Sequence, residues 1–173
     1  MDKHIILLGF MAVGKSTVGR ILASRLDLPF VDTDAEIEKA EGRTIAKIFH
    51  ESGEAYFRKL EHNYLKQLQH MPKSVIATGG GMPCSRQNIE LINKNGHSIH
   101  LKLGAVNITS RLVNDKGRPL VIGKSRAEIL KLVKNKLKER NPYYCKGNIS
   151  VMAYKKPAEV ADRILERIKR VAK

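Results

Sequence analysis

Cysteine is nearly absent from this chain. Cys84 and Cys145 are the only two among 173 residues, too few for a disulfide framework, and no metal-type Cys/His spacing surrounds them. A reduced, cytoplasmic setting is therefore expected. No run of eighteen apolar residues occurs, so nothing reads as a membrane span. The stretch "IILLGFMAVG" resembles the apolar region of a secretory signal, but Lys3 is its only preceding base and cleavage would destroy the loop described below. Aromatic residues make up only 5% of the chain, which argues against a surface built for stacking on bases. The six histidines show no ligand spacing. Repeats, low-complexity segments and linkers are also lacking, so one domain over residues 1–173 is the simplest organisation.

Acidic residues are scarce in one half only. From Lys94 onward there are 20 basic and 6 acidic residues, so +14 of the net +15 resides there. Lys131, Lys134 and Lys138 fall on one face of a helical pattern whose other face carries Ile129, Val133 and Leu137. That spacing fits a solvated helix face serving an anionic small-molecule site better than a nucleic-acid partner.

Against these absences stands "GFMAVGKST" at residues 9–17, between the apolar "HIILL" and the periodic "VGRILASRL". Gly9, Gly14, Lys15 and Ser16 fill G-x-x-x-x-G-K-[ST]. Its glycines let backbone N–H groups curl around an anion, and its lysine reaches the outer phosphates. A plain strand-to-helix turn would leave Lys15 opposing the helix dipole unless an anion were bound. Ala12, Val13 and Thr17 complete the expected nucleotide-binding loop.

Beyond the loop the order is strand, helix, strand throughout. The expected fold is α/β, a five-stranded parallel sheet with helices on both faces. The strands are "HIILL", "LPFVDTD", "SVIATGGG", "HSIHLKL" and "NISVMA". Helical stripes carry Val18, Ile21, Leu22 and Leu26; then Phe57, Leu60, Tyr64 and Leu68; and Val160, Ile164 and Ile168 after Pro157 at a first helical position. Shorter helices are expected at Ser85–Lys94, ended by Gly96, and at Asn107–Val113. A capping box Ser125-x-x-Glu128 opens the basic helix, which should end near Pro142. "NDKGRPLVIGK", residues 114–124, breaks the pattern and is expected to be a mobile lid carrying Arg118.

Open α/β sheets bind ligands at the C-terminal ends of their strands, where the phosphate loop, Asp32, Asp34 and Gly79–Gly81 are all expected. Phosphoryl transfer from ATP needs charge neutralised on the outer phosphates and an aligned acceptor hydroxyl. Lys15 could meet the phosphates, while Ser16 could ligate Mg²⁺ with Asp32 holding it through water. Asp34, two residues on along an extended chain, could orient or deprotonate the acceptor; alternatively it is an N-cap. Arg58 could bind a ligand or merely pair with Glu61 on a wet helix. Three consecutive glycines suggest a ligand approaching the main chain, or a bare turn. Arg118 and Arg140 could be ligands or solvated charges.

Taken together, "GFMAVGKSTVGR", "FVDTDAEIE", "GRTIAKIFHESGEAYFRKLE", "IATGGG", "GRPLV" and "RNPYY" make the sequence resemble the shikimate kinase family nearly end to end. The resemblance implies a fold like that of nucleoside-monophosphate kinases, with a substrate-binding segment near residues 33–61. It also implies ATP-dependent phosphorylation of the 3-hydroxyl of shikimate, in aromatic amino-acid biosynthesis. By position, Asp34 would hold the reacting hydroxyl, Arg58 and Arg140 the carboxylate, and the Gly79, Gly80 and Gly81 backbone the substrate. Arg118 would be the lid arginine, Arg111 and Pro157 would lie near adenine, and Glu61 would orient Arg58. A monomer is expected. Ala12 departs from a common glycine, a change that a right-handed backbone tolerates and a positive φ resists. Val121 and "YYCKGN" depart near the lid and after Arg140. The rival readings are another small-molecule kinase, such as a gluconate kinase, and a basic nucleic-acid-binding NTPase.

Overall fold

A computed structural model describes residues 3–113, 115 and 120–171. Its sheet has five parallel strands in the order β2-β3-β1-β4-β5. They are β1 (His4–Leu8), β2 (Phe30–Asp32), β3 (Val75–Ala77), β4 (Gly96–Lys102) and β5 (Ile149–Met152). Every residue of central β1 is buried, as a parallel strand covered on both faces must be. The helices are α1 (Lys15–Leu26), α2 (Thr33–Glu41), α3 (Ile45–Gln67), α4 (Arg86–Asn95), α5 (Ala105–Leu112), α6 (Arg126–Tyr144) and α7 (Pro157–Val171). Apolar spacing explains their inward faces: Val18 and Leu22 of α1, and Val160, Ile164 and Ile168 of α7, are all buried. Ile21 and Leu26 only border the core.

Register decides what the sheet can hold. Leu7 pairs with Ala77, and Ala77 with Asp32, so β1, β3 and β2 end at one level. The three loops that follow them therefore leave the same edge side by side. β3 lies between β1 and β2 although it follows both in the chain, which brings the glycine run between the phosphate loop and the aspartates.

Four local expectations are corrected. Asp34 is not on an extended chain: β2 ends at Asp32, and α2 begins at Thr33. The N-cap is Asp32 rather than Asp34; its carboxylate accepts from the Asp34 amide at 3.2 Å. The basic helix runs past Pro142 to Tyr144, with its capping box at Ser125 and Glu128 in place. The helix expected over Asn107–Val113 starts two residues earlier, at Ala105. Within α3 the helix is broken at Gly53, where φ is 80° and ψ 169°. Lys131, Lys134 and Lys138 are solvent-exposed as expected. Arg118 and the neighbouring lid positions 114, 116, 117 and 119 lie outside the described residues, whereas Val121 is buried.

Candidate active site

The loop after β1 is shaped by backbone sterics. Gly9 has φ 143°, and a Cβ there would lie 2.7 Å from the Leu101 carbonyl oxygen; Gly14 has φ 103°. Gly14 also caps α1, without any side-chain hydrogen bond and with no acid in the first turn. The positive end of α1 thus presents amides with no side-chain cap, the arrangement that binds phosphate. Lys15 Nζ donates to the carbonyls of Gly9 at 2.8 Å and Phe10 at 3.0 Å, folding over the loop.

Ala12 has φ 61°. It stands at the left-handed position that a side chain resists, so the substitution strains the loop by about 1 kcal/mol. Replacing Ala12 with glycine should raise the melting temperature by about 1–3 °C, the gain being reduced by glycine's greater freedom in the unfolded chain. An unchanged or lower Tm in a thermal scan would contradict the strain.

Ser16 Oγ donates to Asp32 Oδ2 at 2.8 Å, while Asp32 Oδ1 caps α2. One carboxylate thereby joins the phosphate loop to the segment carrying Asp34. The hydroxyl and carboxylate are hard oxygen donors side by side, and they fit magnesium, which fills most of its octahedron with water and phosphate oxygens.

Asp34 lies in the first turn of α2, where its Oδ1 is buried with no hydrogen-bond partner among the described residues. Burial, and then the Asp32 charge, push its carboxyl above the ordinary value, while Lys15 pulls it back. A buried acceptor of this kind is an open position for a hydroxyl donor.

The glycine run is also approached by side chains of the protein, a constraint the sequence reading did not include. Gly79, Gly80 and Gly81 are not in the left-handed region. Instead, a Cβ on Gly79 would collide with the Asp34 carboxylate, and one on Gly81 with the Arg58 guanidinium. The side chains that close in belong to the protein itself. Thr33 completes the seam by accepting the Gly79 amide at 3.0 Å.

Arg58 does not sit on a wet helix surface. Its Nη1 donates at 2.6 Å to Glu61, which is only 1% exposed, and its Nη2 donates at 2.8 Å to exposed Glu54. Burial pushes the Glu61 carboxyl up to about 7, against the opposing pull of Arg58. Arg140, half-buried on α6, lies over the Phe10 ring with its guanidinium 5.5 Å from the centroid.

These groups converge on one cleft of about 790 Å³. It is lined by Ala12, Gly14, Lys15, Ser16, Thr17, Asp32, Asp34, Arg58, Gly79, Gly80, Gly81, Arg111 and Arg140. Gly9, Val13 and Pro157 do not line it: Gly9 is buried at the loop's base, Val13 packs in the core, and Pro157 opens α7 beyond the rim. Arg111 reaches the carbonyls of Ala12 at 2.9 Å and Ala153 at 3.4 Å, and so borders the loop's outer side. Met11, Glu38, Ile45, Phe57 and Thr78 also line the cleft. Sequence reasoning gave none of these a part in the site, Phe57 being read only as a helix-stripe residue, because nothing local distinguishes them from core or surface residues. The arrangement provides an anion cradle at one end, paired guanidinium groups at the other, and a carboxylate between them.

A family model for shikimate kinase matches residues 11–169. A shikimate kinase of Sulfurihydrogenibium sp. (strain YO3AOP1) is 40% identical over 169 residues, covering 97% of this chain and 99% of that one. A crystal structure of shikimate kinase from Bacteroides thetaiotaomicron superposes with a TM-score of 0.91 at 32% identity, covering 96% of this chain and 98% of its own. One from Acinetobacter baumannii, in complex with shikimate, gives 0.87 at 34% identity and covers 97% and 93%. By contrast, a gluconokinase from Sinorhizobium meliloti shares the fold alone, at 17% identity and a TM-score of 0.63 with coverage of 99% and 94%.

Proposed function

The chain belongs to the shikimate kinase family, and on that premise we propose that it transfers the γ-phosphoryl group of ATP to the 3-hydroxyl of shikimate. The observation that carries this reading is Asp34 Oδ1, buried and unpartnered among the described residues, lying between a phosphate loop and two arginines. The loop amides at the start of α1 hold the phosphates, and Lys15 moves from the Gly9 and Phe10 carbonyls to neutralise the outer ones. Arg58 and Arg140 clamp the acceptor's carboxylate, with Glu61 and Glu54 holding the Arg58 guanidinium in place. Asp34 accepts the proton of the attacking hydroxyl as its oxygen bonds to phosphorus and the β–γ bridging bond breaks, leaving ADP; the proton then passes to solvent. Its raised pKa makes it a stronger base. Ser16 and Asp32 are positioned to hold Mg²⁺. That ion, when bound, neutralises charge on the β- and γ-oxygens. Arg118 is assigned to the transferring phosphate from its sequence motif alone, and Arg111 to the adenine side. The protein is expected to act as a monomer. Among the described residues no helix is long and apolar enough to cross a membrane.

The direct test is to incubate the protein with Mg-ATP and, in separate arms, shikimate, quinate, gluconate and single-stranded DNA. ADP release with shikimate, together with the mass of shikimate 3-phosphate, is expected. ADP release with gluconate or DNA and none with shikimate would overturn the assignment.

Glu61 makes acceptor binding depend on pH. Its folded value of about 7 lies above the ordinary 4.5, so its protonation favours the folded state. That contribution is complete below about 4.5 and is lost as pH rises through about 7. Ionised Glu61 is the form that holds Arg58, so shikimate affinity should fall severalfold as pH drops from about 8 to 6, while the ligand's own carboxylate stays ionised. Calorimetry without ATP should show this dependence, and Glu61→Gln should flatten it. Equal pH profiles for the two proteins would remove Glu61 as the cause.

A further inference from the structure

Tyr144 is the last residue of α6, fully buried, and closes the "RNPYY" stretch that carries part of the family resemblance, just where the following residues depart from the family pattern. Its ring packs at a tilt against buried His100, with centroids 5.3 Å apart. Its hydroxyl donates to the carbonyl oxygen of Gly80, the middle residue of the glycine run. Cys84 Sγ approaches the same carbonyl at 3.7 Å, a much weaker donor. The Arg140 guanidinium lies against the phenol as well, one helical turn before Tyr144 on the same helix. Burial holds the phenol well above its ordinary pKa, so it remains a donor at all working pH values.

Gly80 sits where three parts of the cleft meet. A Cβ on it would be 3.3 Å from Arg140 Nη1 and 3.5 Å from the Met11 amide nitrogen of the phosphate loop. On either side of it, Gly79 touches Asp34 and Gly81 touches Arg58. A rotation of the peptide beyond Gly80 would act first on Arg140, whose Nη1 is the nearest atom to this residue.

We propose that Tyr144 is a positioning residue for the acceptor: by holding the Gly80 carbonyl from the end of α6, it fixes the glycine run relative to Arg140 and so sets acceptor affinity. This rests on the proposed shikimate-phosphorylating reading of the cleft. Tyr144 touches no reacting atom. Its effect falls mainly on acceptor binding, because Arg140, which clamps the acceptor, sits one turn away on the same helix and is the nearest side chain to Gly80.

The test is Tyr144→Phe, which keeps the ring against His100 and removes only the donor. Shikimate KM, and its dissociation constant by calorimetry, should rise about tenfold, the scale of depriving a buried carbonyl of its main donor. The kcat and the ATP KM should stay within about twofold. Equal losses in kcat and both KM values, an unchanged shikimate KM, or failure of Tyr144→Phe to fold would each overturn the proposal; the last would make the hydroxyl a stability bond. The wild-type protein run alongside separates the two readings. If it phosphorylates no shikimate, the functional assignment fails; if it does and Tyr144→Phe binds shikimate normally, only this inference fails.

Discussion

Asp34→Asn is expected to lower kcat by about 10²–10⁴-fold while ATP affinity barely changes, because the amide keeps the shape of the carboxylate and loses its basicity. The structure strengthens the test. Had Asp34 been the N-cap of α2, asparagine would have served almost as well and little would change. The cap is Asp32, however, and Asp34 Oδ1 has no structural partner among the described residues, so no stabilising hydrogen bond of that oxygen is lost. Asp34→Asn should therefore melt at or slightly above the wild-type temperature, since it removes a buried charge that burial and Asp32 both disfavour. Loss of turnover with retained stability is the expected signature. Near-wild-type kcat would exclude Asp34 as the acceptor's base.

Gly79→Ala should have an effect nearly as large through geometry alone. The added methyl group would occupy the space of the Asp34 carboxylate, and either the carboxylate or the glycine run must move. A displacement of about 1 Å at a reacting group costs about 10²-fold in rate, so kcat should fall by about that factor. Gly81→Ala should instead displace Arg58, so that it raises shikimate KM more than it lowers kcat. At Gly80 the nearest atom to a Cβ is Arg140 Nη1 at 3.3 Å, at the end of a flexible side chain, and alanine should be tolerated best there. Kinetics of the three variants distinguish this from a shared backbone requirement. Comparable losses at all three positions, falling equally on kcat and KM, would favour entropy or loop conformation over side-chain approach.

Much of the site was legible because its signals are local. The phosphate loop announces itself through residue types whose backbone and charge chemistry have few other uses, and the alternating strands and helices through apolar spacing. Arg58 and Glu61 could be seen to be one turn apart on a helix. What spacing could not say was that this turn faces inward, where Glu61 is 1% exposed, so a surface ion pair and a buried clamp look the same in sequence. Asp32 and Asp34 were equally visible as a pair. Which of them caps α2 depended on where β2 stops, and that follows from its pairing with β3.

By itself, then, the sequence determined the α/β class, the phosphate loop, the family and the set of charged residues available for chemistry, since each follows from local pattern or from residue identity. The tertiary structure alone decided the insertion of β3 between β1 and β2, the left-handed backbone at Ala12, the closure of Asp34 and Arg58 onto the glycine run, and the tether from Tyr144 to Gly80. Each of these depends on contacts between segments far apart in the chain, whose mutual approach is set by sheet register and core packing, and no local periodicity encodes that approach.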